Sequence, residues 1–323
     1  MKDLNILPGA ATAANGPGGG RPTALPRVAE SPPQVPLRAL DQLWFQVSGT
    51  VCNLRCRHCF ISCSPDNHSF WFMTRGQVAA ALVESVPLGV KEYYFTGGEP
   101  FMNHEMCGIL EDTLELGPAT VLTNATLLPE RTVHELGRLA AGSPYSLELR
   151  VSLDGVTAEM NDAIRGEGTF ARCIEGVRRL VGAGFLPIIT AMQSWPDAGT
   201  GRILGDFREL LAGIGYDRPR LKIIPPLLIG EEARRTRGYA PSMRVTHEML
   251  HGFDVDQLLC TRARLVTAAG VQVCPILLDY PDARLGDTLG EAVARPASLS
   301  EQACYTCYLN GSICANTAAA SDF

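Results

Sequence analysis

The sequence predicts an α/β fold: an open, partial (β/α)6 barrel of TIM type followed by a small cysteine-rich C-terminal extension. Three observations predict it. Between residues 43 and 224, six short apolar segments alternate with five helix-like ones, the pattern of βα units feeding a parallel sheet. The remaining chain does not supply the two further units that a closed eight-fold barrel needs. From about residue 255 onward, cysteines gather in a stretch poor in helical periodicity.

Residues 1–40 hold 12 of the 54 glycines and prolines and almost no hydrophobic periodicity, so they are read as a disordered leader. Residues 43–47 are the first strand, and a cysteine loop follows it. Thr74 and Gln77 have capping-box spacing and open a helix through about Ser85. A strand at 90–95 leads to a helix near 105–116, and a strand at 120–123 leads to a helix from Pro129 to about residue 139. The fourth strand spans 146–153, with a helix at 169–181. The fifth spans 186–192, with a helix at 201–211, and the sixth spans 221–224. These elements divide the chain into a leader (1–40), a core (41–235), a linker helix (236–254) and a tail (255–323).

Composition excludes several classes. The chain has 323 residues, 46% hydrophobic and 19% charged, too apolar for a mostly disordered protein. A formal charge of −6 argues against nucleic acid as its main partner. No apolar run reaches the roughly 18–20 residues of a membrane span, and the N-terminus lacks the apolar region of a secretory signal. The expectation is a cytoplasmic protein with no membrane contact. Its 11 cysteines are an odd number, and their clustering points to metal ligation rather than a disulfide scaffold.

Cys52, Cys56 and Cys59 follow the first strand at spacing Cys-x3-Cys-x2-Cys, where parallel α/β proteins gather their reactive groups. Three thiolates so spaced can hold three irons of a [4Fe–4S] cluster and leave the fourth open. A zinc knuckle with Cys63 as fourth ligand is the alternative. Gly97, Gly98, Glu99 and Pro100 end the second strand; two glycines permit close backbone approach, and Glu99 offers charge to an ammonium or local support. Asn124 ends the third strand, and Ser152 and Asp154 end the fourth; Asp154 also suits a turn with Gly155. Arg165 supplies the bidentate fork that carboxylates favour.

Together these ordered segments resemble the radical S-adenosylmethionine (SAM) superfamily. The resemblance implies a [4Fe–4S] cluster on Cys52, Cys56 and Cys59 whose open iron binds SAM. It implies cofactor contacts from Gly97, Gly98, Glu99, Pro100, Asn124, Ser152, Asp154 and Arg165, with Ser152 and Arg165 at the SAM carboxylate. The chemistry implied is reductive SAM cleavage to a 5′-deoxyadenosyl radical and abstraction of a substrate hydrogen atom, with electrons from a flavodoxin- or ferredoxin-type donor.

Cys260, Cys274, Cys304, Cys307 and Cys314, with Gly270 four positions before Cys274, resemble the SPASM or twitch extensions that carry auxiliary [4Fe–4S] clusters. The final cysteines of the SPASM pattern are missing. Two clusters take about eight thiolates, so one auxiliary cluster is expected, on Cys260, Cys274 and two of the other three. A structural zinc site is the alternative. The resemblance in core and tail favours oxidative modification of a peptide, with a small metabolite as the second reading and a non-enzymatic iron–sulfur or zinc scaffold as the third. His247 and His251 match H-E-x-x-H but lack a third ligand and are read as exposed residues of the linker helix. Cys107, Cys173 and the Tyr93–Tyr94–Phe95 run are read as packing.

Overall fold

The first strand of the core, Gln42–Gln46, is buried along its whole length, as expected of a strand covered on both faces. In the computed structural model, which describes residues 31–316 apart from 196–198, 279, 312 and 315, the strands run in chain order as β1 (Gln34–Val35), β2 (Gln42–Gln46), β3 (Glu92–Thr96), β4 (Ala119–Thr123), β5 (Leu147–Ser152), β6 (Ile188–Met192), β7 (Arg220–Ile224), β8 (Ala263–Thr267), β9 (Gly270–Gln272), β10 (Arg284–Gly286) and β11 (Ala297–Ser298). The main sheet is ordered β10-β9-β8-β2-β3-β4-β5-β6-β7. From β8 through β7 all pairings are parallel, while β9 and β10 run antiparallel. The order agrees with an open TIM-type barrel, since successive βα units lay down β2 to β7 side by side.

Helices α1 (Arg75–Ser85), α2 (Met106–Thr113), α3 (Glu130–Gly142), α5 (Thr169–Gly182) and α6 (Thr200–Ala212) link these strands, and α4 (Ala158–Arg165) adds a turn-rich segment after β5. The α1 start behaves as its spacing predicts. Thr74 Oγ1 accepts from the Gln77 amide at 3.1 Å, and Gln77 Oε1 accepts from the Thr74 amide at 2.9 Å. Leu43, Phe45, Tyr93, Phe95, Val121, Leu149 and Val151 pack in the larger core cluster, which includes the helix residues Leu82, Ile109, Leu136 and Val177. Trp44 and Tyr94 belong to a second cluster with Ala263, Leu265 and Leu278, stacked at 4.2 Å between ring centroids. The Tyr93–Tyr94–Phe95 run is packing, as expected.

Two departures concern the ends. Residues 1–30 of the expected leader lie outside the described residues, but Gln34 and Val35 pair with Ser298 and Ala297, and Leu40 is buried. The tail, expected as a separate short extension, places β8 against β2 in parallel register, Trp44 opposite Leu265. Strand β8 escapes notice because Arg264 interrupts its apolar run. That side chain is 0% exposed and donates to the carbonyls of Cys260, Ala263, Arg295 and Ala292 at 2.7, 2.8, 2.9 and 3.3 Å, which is how a buried guanidinium is tolerated. The expected linker helix is a single turn, His247–Leu250. No helix among the described residues is long and apolar enough to cross a membrane.

Replacing Arg264 with leucine strips four carbonyls of a donor, two of them in buried contacts. It is expected to cost about 3 kcal/mol, read as a fall of roughly 6–10 °C in the thermal midpoint, with no rescue by lysine, which lacks the planar fork.

Candidate active site

The loop after β2 is built to lie flat against the turn after β3. The Gly98 amide donates to Gly49 O at 3.0 Å and the Glu99 amide to Val51 O at 3.2 Å. A β-carbon on Gly98 would stand 2.0 Å from Val51 O, and one on Gly97, whose φ is +153°, would stand 2.1 Å from Ser48 Oγ. The two glycines therefore serve the approach of the cysteine loop's own backbone, a nearer cause than the approach of a ligand. Within the loop, Cys52 N–H donates to Ser64 O at 3.1 Å and Ser64 N–H to Thr50 O at 3.2 Å.

This packing turns Cys52, Cys56, Cys59 and Cys63 into one cavity at the carboxyl end of the sheet, of about 1040 Å3 counting its open mouth. Gly97, Gly98, Asn124, Ser152, Asp154 and Arg165 line the same cavity. Of the sequence-predicted set, Glu99 and Pro100 stand behind it. Glu99 is wholly buried and accepts from Thr123 Oγ1 at 2.7 Å, the Asn124 amide at 2.7 Å and the Phe101 amide at 3.1 Å. It pins the ends of β3 and β4 together.

Asp154 has a similar place. It is 1% exposed and engaged on all sides. His58 Nε2 lies 2.5 Å and Arg165 Nε 2.6 Å from Oδ2, the Met192 amide donates to Oδ1 at 2.7 Å, and its own amide donates to Asn161 Oδ1 at 3.1 Å. Burial works to raise its carboxyl, but Arg165 and His58 hold it well below the usual carboxylate range. Arg165, at the last turn of α4, thus reaches the cavity fixed through Nε, with Nη1 at 3.9 Å from Cys56 Sγ. Asn124 Nδ2 donates to Asn53 Oδ1 at 2.9 Å. His58 went unnoticed in the sequence, although its place between two ligand-spaced cysteines is a signal for it.

The thiols divide by environment. Burial pushes Cys52 up to about 12 and Cys56 up to about 11. Cys59 goes the other way, to about 6, because the Cys63 thiol and the backbone amides of Cys63 and Ile61 donate to its sulfur, the Cys63 amide at 3.2 Å. A second, apolar cavity of about 460 Å3 is lined by Cys260, Cys274, Cys304 and Cys307. All four thiols are raised by burial, and Cys260, Cys304 and Cys307 also by neighbouring thiols, whereas the Ile276 and Leu277 amides and Arg264 work the other way on Cys274. Cys314 is outside that lining; it packs beside both core clusters, close enough to raise the Cys307 thiol, and its carbonyl accepts from Arg150. Among the described residues, no three of His, Cys, Asp and Glu are grouped to hold a single metal ion. Thiolates on a [4Fe–4S] cube each bind a different iron, so three or four thiols around a shared space suit the cube. Thiols so raised would release protons on loading. Among the described residues, no third metal-ligating side chain is grouped with His247 and His251, and Cys173 is a buried core residue donating to Ser152 O at 3.7 Å.

Residues 47–194 match the radical SAM superfamily. Mycofactocin maturase MftC of Mycobacterium ulcerans (strain Agy99) is 32% identical over 137 residues, 42% of this chain and 35% of that one. GTP 3',8-cyclase of Petrotoga mobilis is 26% identical over 155 residues, 47% and 46% of the two chains. The chain thus spans less than half the length of these relatives. Among solved structures, Streptococcus suis SuiB bound to S-adenosylmethionine aligns with TM-score 0.56 at 16% identity, over 76% of this chain and 62% of that one. Native anSMEcpe with bound AdoMet aligns with TM-score 0.57 at 16% identity, over 78% and 79%. At that identity the likeness is one of fold.

Burial pushes the Glu99 carboxyl up from 4.5 to about 7 against its three donors. A folded value above the ordinary one means that Glu99 contributes stability in full below pH 4.5 and loses it as pH rises through 7. In metal-free protein, the unfolding free energy of wild type relative to Glu99→Gln is expected to fall by about 3 kcal/mol between those limits. A difference independent of pH would contradict this.

Proposed function

We propose that this chain, in which residues 47–194 form a radical SAM domain, is an enzyme that cleaves SAM reductively and uses the radical to modify a peptide oxidatively. The observation that carries the reading is the convergence of Cys52, Cys56 and Cys59 on one cavity with Asn124, Ser152 and Arg165. The radical SAM domain implies a [4Fe–4S] cluster and SAM, which when bound supply one-electron cleavage of the sulfonium to a 5′-deoxyadenosyl radical.

The chain's own residues have separable tasks. Cys52, Cys56 and Cys59 are the ligands this reading assigns to the cluster, held in register by the Gly97–Gly98 packing. Arg165 and Ser152 offer a fork and a hydroxyl to the SAM carboxylate. Asp154 orients Arg165 and His58 through its ion pairs with them. The apolar walls, Leu122, Met192, Ile224 and Leu227, exclude water from a reactive centre.

A peptide substrate is supported by the similar proteins, a maturase, SuiB bound to its precursor peptide SuiA and anSMEcpe with the Cp18Cys peptide. The cyclase similarity favours a small metabolite as the second reading. For an auxiliary cluster, the shared cavity favours Cys260, Cys274, Cys304 and Cys307 as the four ligands and leaves Cys314 out. An electron donor of flavodoxin or ferredoxin type and a cytoplasmic setting complete the proposal.

Reconstituted anaerobically with SAM and dithionite, the protein is expected to form 5′-deoxyadenosine. Cys56→Ala should abolish the product, whereas Cys63→Ala should keep both cluster and product. Loss of the loop's iron with Cys63 would overturn the three-thiolate ligand set. Iron content separates the tail cysteines: Cys314→Ala is expected to keep about eight irons per chain, and Cys307→Ala to fall toward four.

A further inference from the structure

Arg150 is a charged residue on β5 with its neighbours Leu149 and Val151 both buried in the core. It is 4% exposed, and it lines the same cavity as Ser152 and Arg165. Its Nη1 donates to the Cys314 carbonyl, while its Nε has no hydrogen-bond partner. Glu148, two residues earlier and on the same face of the strand, is paired with Arg220 at 3.1 Å. Burial works against the charge on Arg150, and the groups that favour it are Cys314, Tyr94 and Glu148.

A second donor stands beside it. Thr190 on β6 is 8% exposed, its hydroxyl has no hydrogen-bond partner, and it lines the same cavity. The strand register sets Thr190 opposite Ser152 and Arg150 opposite Ile188, so the guanidinium and the hydroxyl come from adjacent strands, with Arg150 one inward position deeper than Ser152. A buried guanidinium with no carboxylate paired to it among the described residues is unfavourable, and a guanidinium answers best to a planar anion that it can grip with two nitrogens. Arg165 is already fixed by Asp154 near the cysteines, which leaves Arg150 and Thr190 to face whatever fills the deeper part of the cavity.

We propose that Arg150, assisted by Thr190, binds a carboxylate of the substrate and so selects a peptide with an acidic group near the carbon to be modified. This rests on the radical SAM reading of the site and adds a substrate class to it. An acidic side chain and a terminal carboxylate present the same chemistry, and the test separates them.

The SAM-loaded, reconstituted full chain is titrated calorimetrically with three probes. They are N-acetylglutamate α-amide, with only the side-chain acid, N-acetylglutamine, with only the terminal acid, and neutral N-acetylglutaminamide. At least one acid is expected to bind and the neutral probe not, the tighter acid identifying the carboxylate. Arg150→Met should weaken that binding by at least about tenfold, with SAM affinity shifting less than about twofold. Arg150→Lys should restore part of the loss, and the near-isosteric Thr190→Val should weaken the acid a few-fold, which keeps the test sound if the Arg150 variants fold poorly. The proposal is overturned by equal binding of the neutral probe, by no binding of either acid up to about 50 mM, or by acid binding indifferent to Arg150→Met. It is overturned too if SAM affinity falls as far as acid affinity, which would return Arg150 to the cofactor site, or if inorganic phosphate binds about tenfold more tightly than either acid, which would point to a phosphate ester. Formation of 5′-deoxyadenosine in the same wild-type preparation is scored separately. Its absence would refute the enzymatic reading, whereas the acid titrations judge Arg150 alone.

Discussion

The candidate site depends on a single buried carboxylate. Asp154 joins the cysteine loop through His58, helix α4 through Arg165 and strand β6 through the Met192 amide. Three segments distant in sequence therefore share one anion, and each of its contacts is charge-assisted in a dry environment where such bonds are strongest. A further backbone bond runs alongside, from the Arg57 amide to Ile164 O at 2.8 Å, so loop and helix are held at two points. Neutralising Asp154 would leave Arg165 buried without its partner, and the geometry around Cys56 would loosen with it.

Much of the fold was legible in the sequence because βα periodicity is local. The six core strands and five of the helices lie within a few residues of where their patterns predict them. What was hidden is instructive. Helix α4 buries only Asn161, so it shows no apolar stripe for periodicity to detect. Strand β8 carries Arg264 at its second position, and the four carbonyls that receive it become visible only when the neighbouring turns are in place. Strand β5 alternates Glu148 and Arg150 with apolar residues, which reads as one face in water. In a barrel that polar face looks inward, and a solvated pattern becomes a lined interior. The site follows a similar rule: spacing brings out the cysteines, glycines and Arg165, whereas the burial and the partners of Glu99 and Asp154 are shown by no spacing.

The thiols illustrate how position divides one residue type between tasks. Four belong to a loop whose backbone is locked to the end of β3, and four more face an apolar cavity built from the segment after β9, β11 and the helix Ala303–Asn310. Desolvation keeps most of them protonated, so each set is inert as a nucleophile yet ready to exchange protons for a cation. Cys59 departs from this because its neighbours donate to it, and it is the thiol of the loop most easily ionised before any metal arrives.

The pairing of β8 with β2 has an architectural consequence. Strand β2 carries the cysteine loop, and one of its two hydrogen-bonded flanks is supplied by the tail. The tail is therefore not a module that can be detached. A chain cut at about residue 235 would turn β2 into an unprotected edge and bare Trp44, Leu265's partner in register, the sort of exposed apolar margin that recruits other strands. Any exchange of this extension for another would have to reproduce the β8 register before it reproduced a single cysteine.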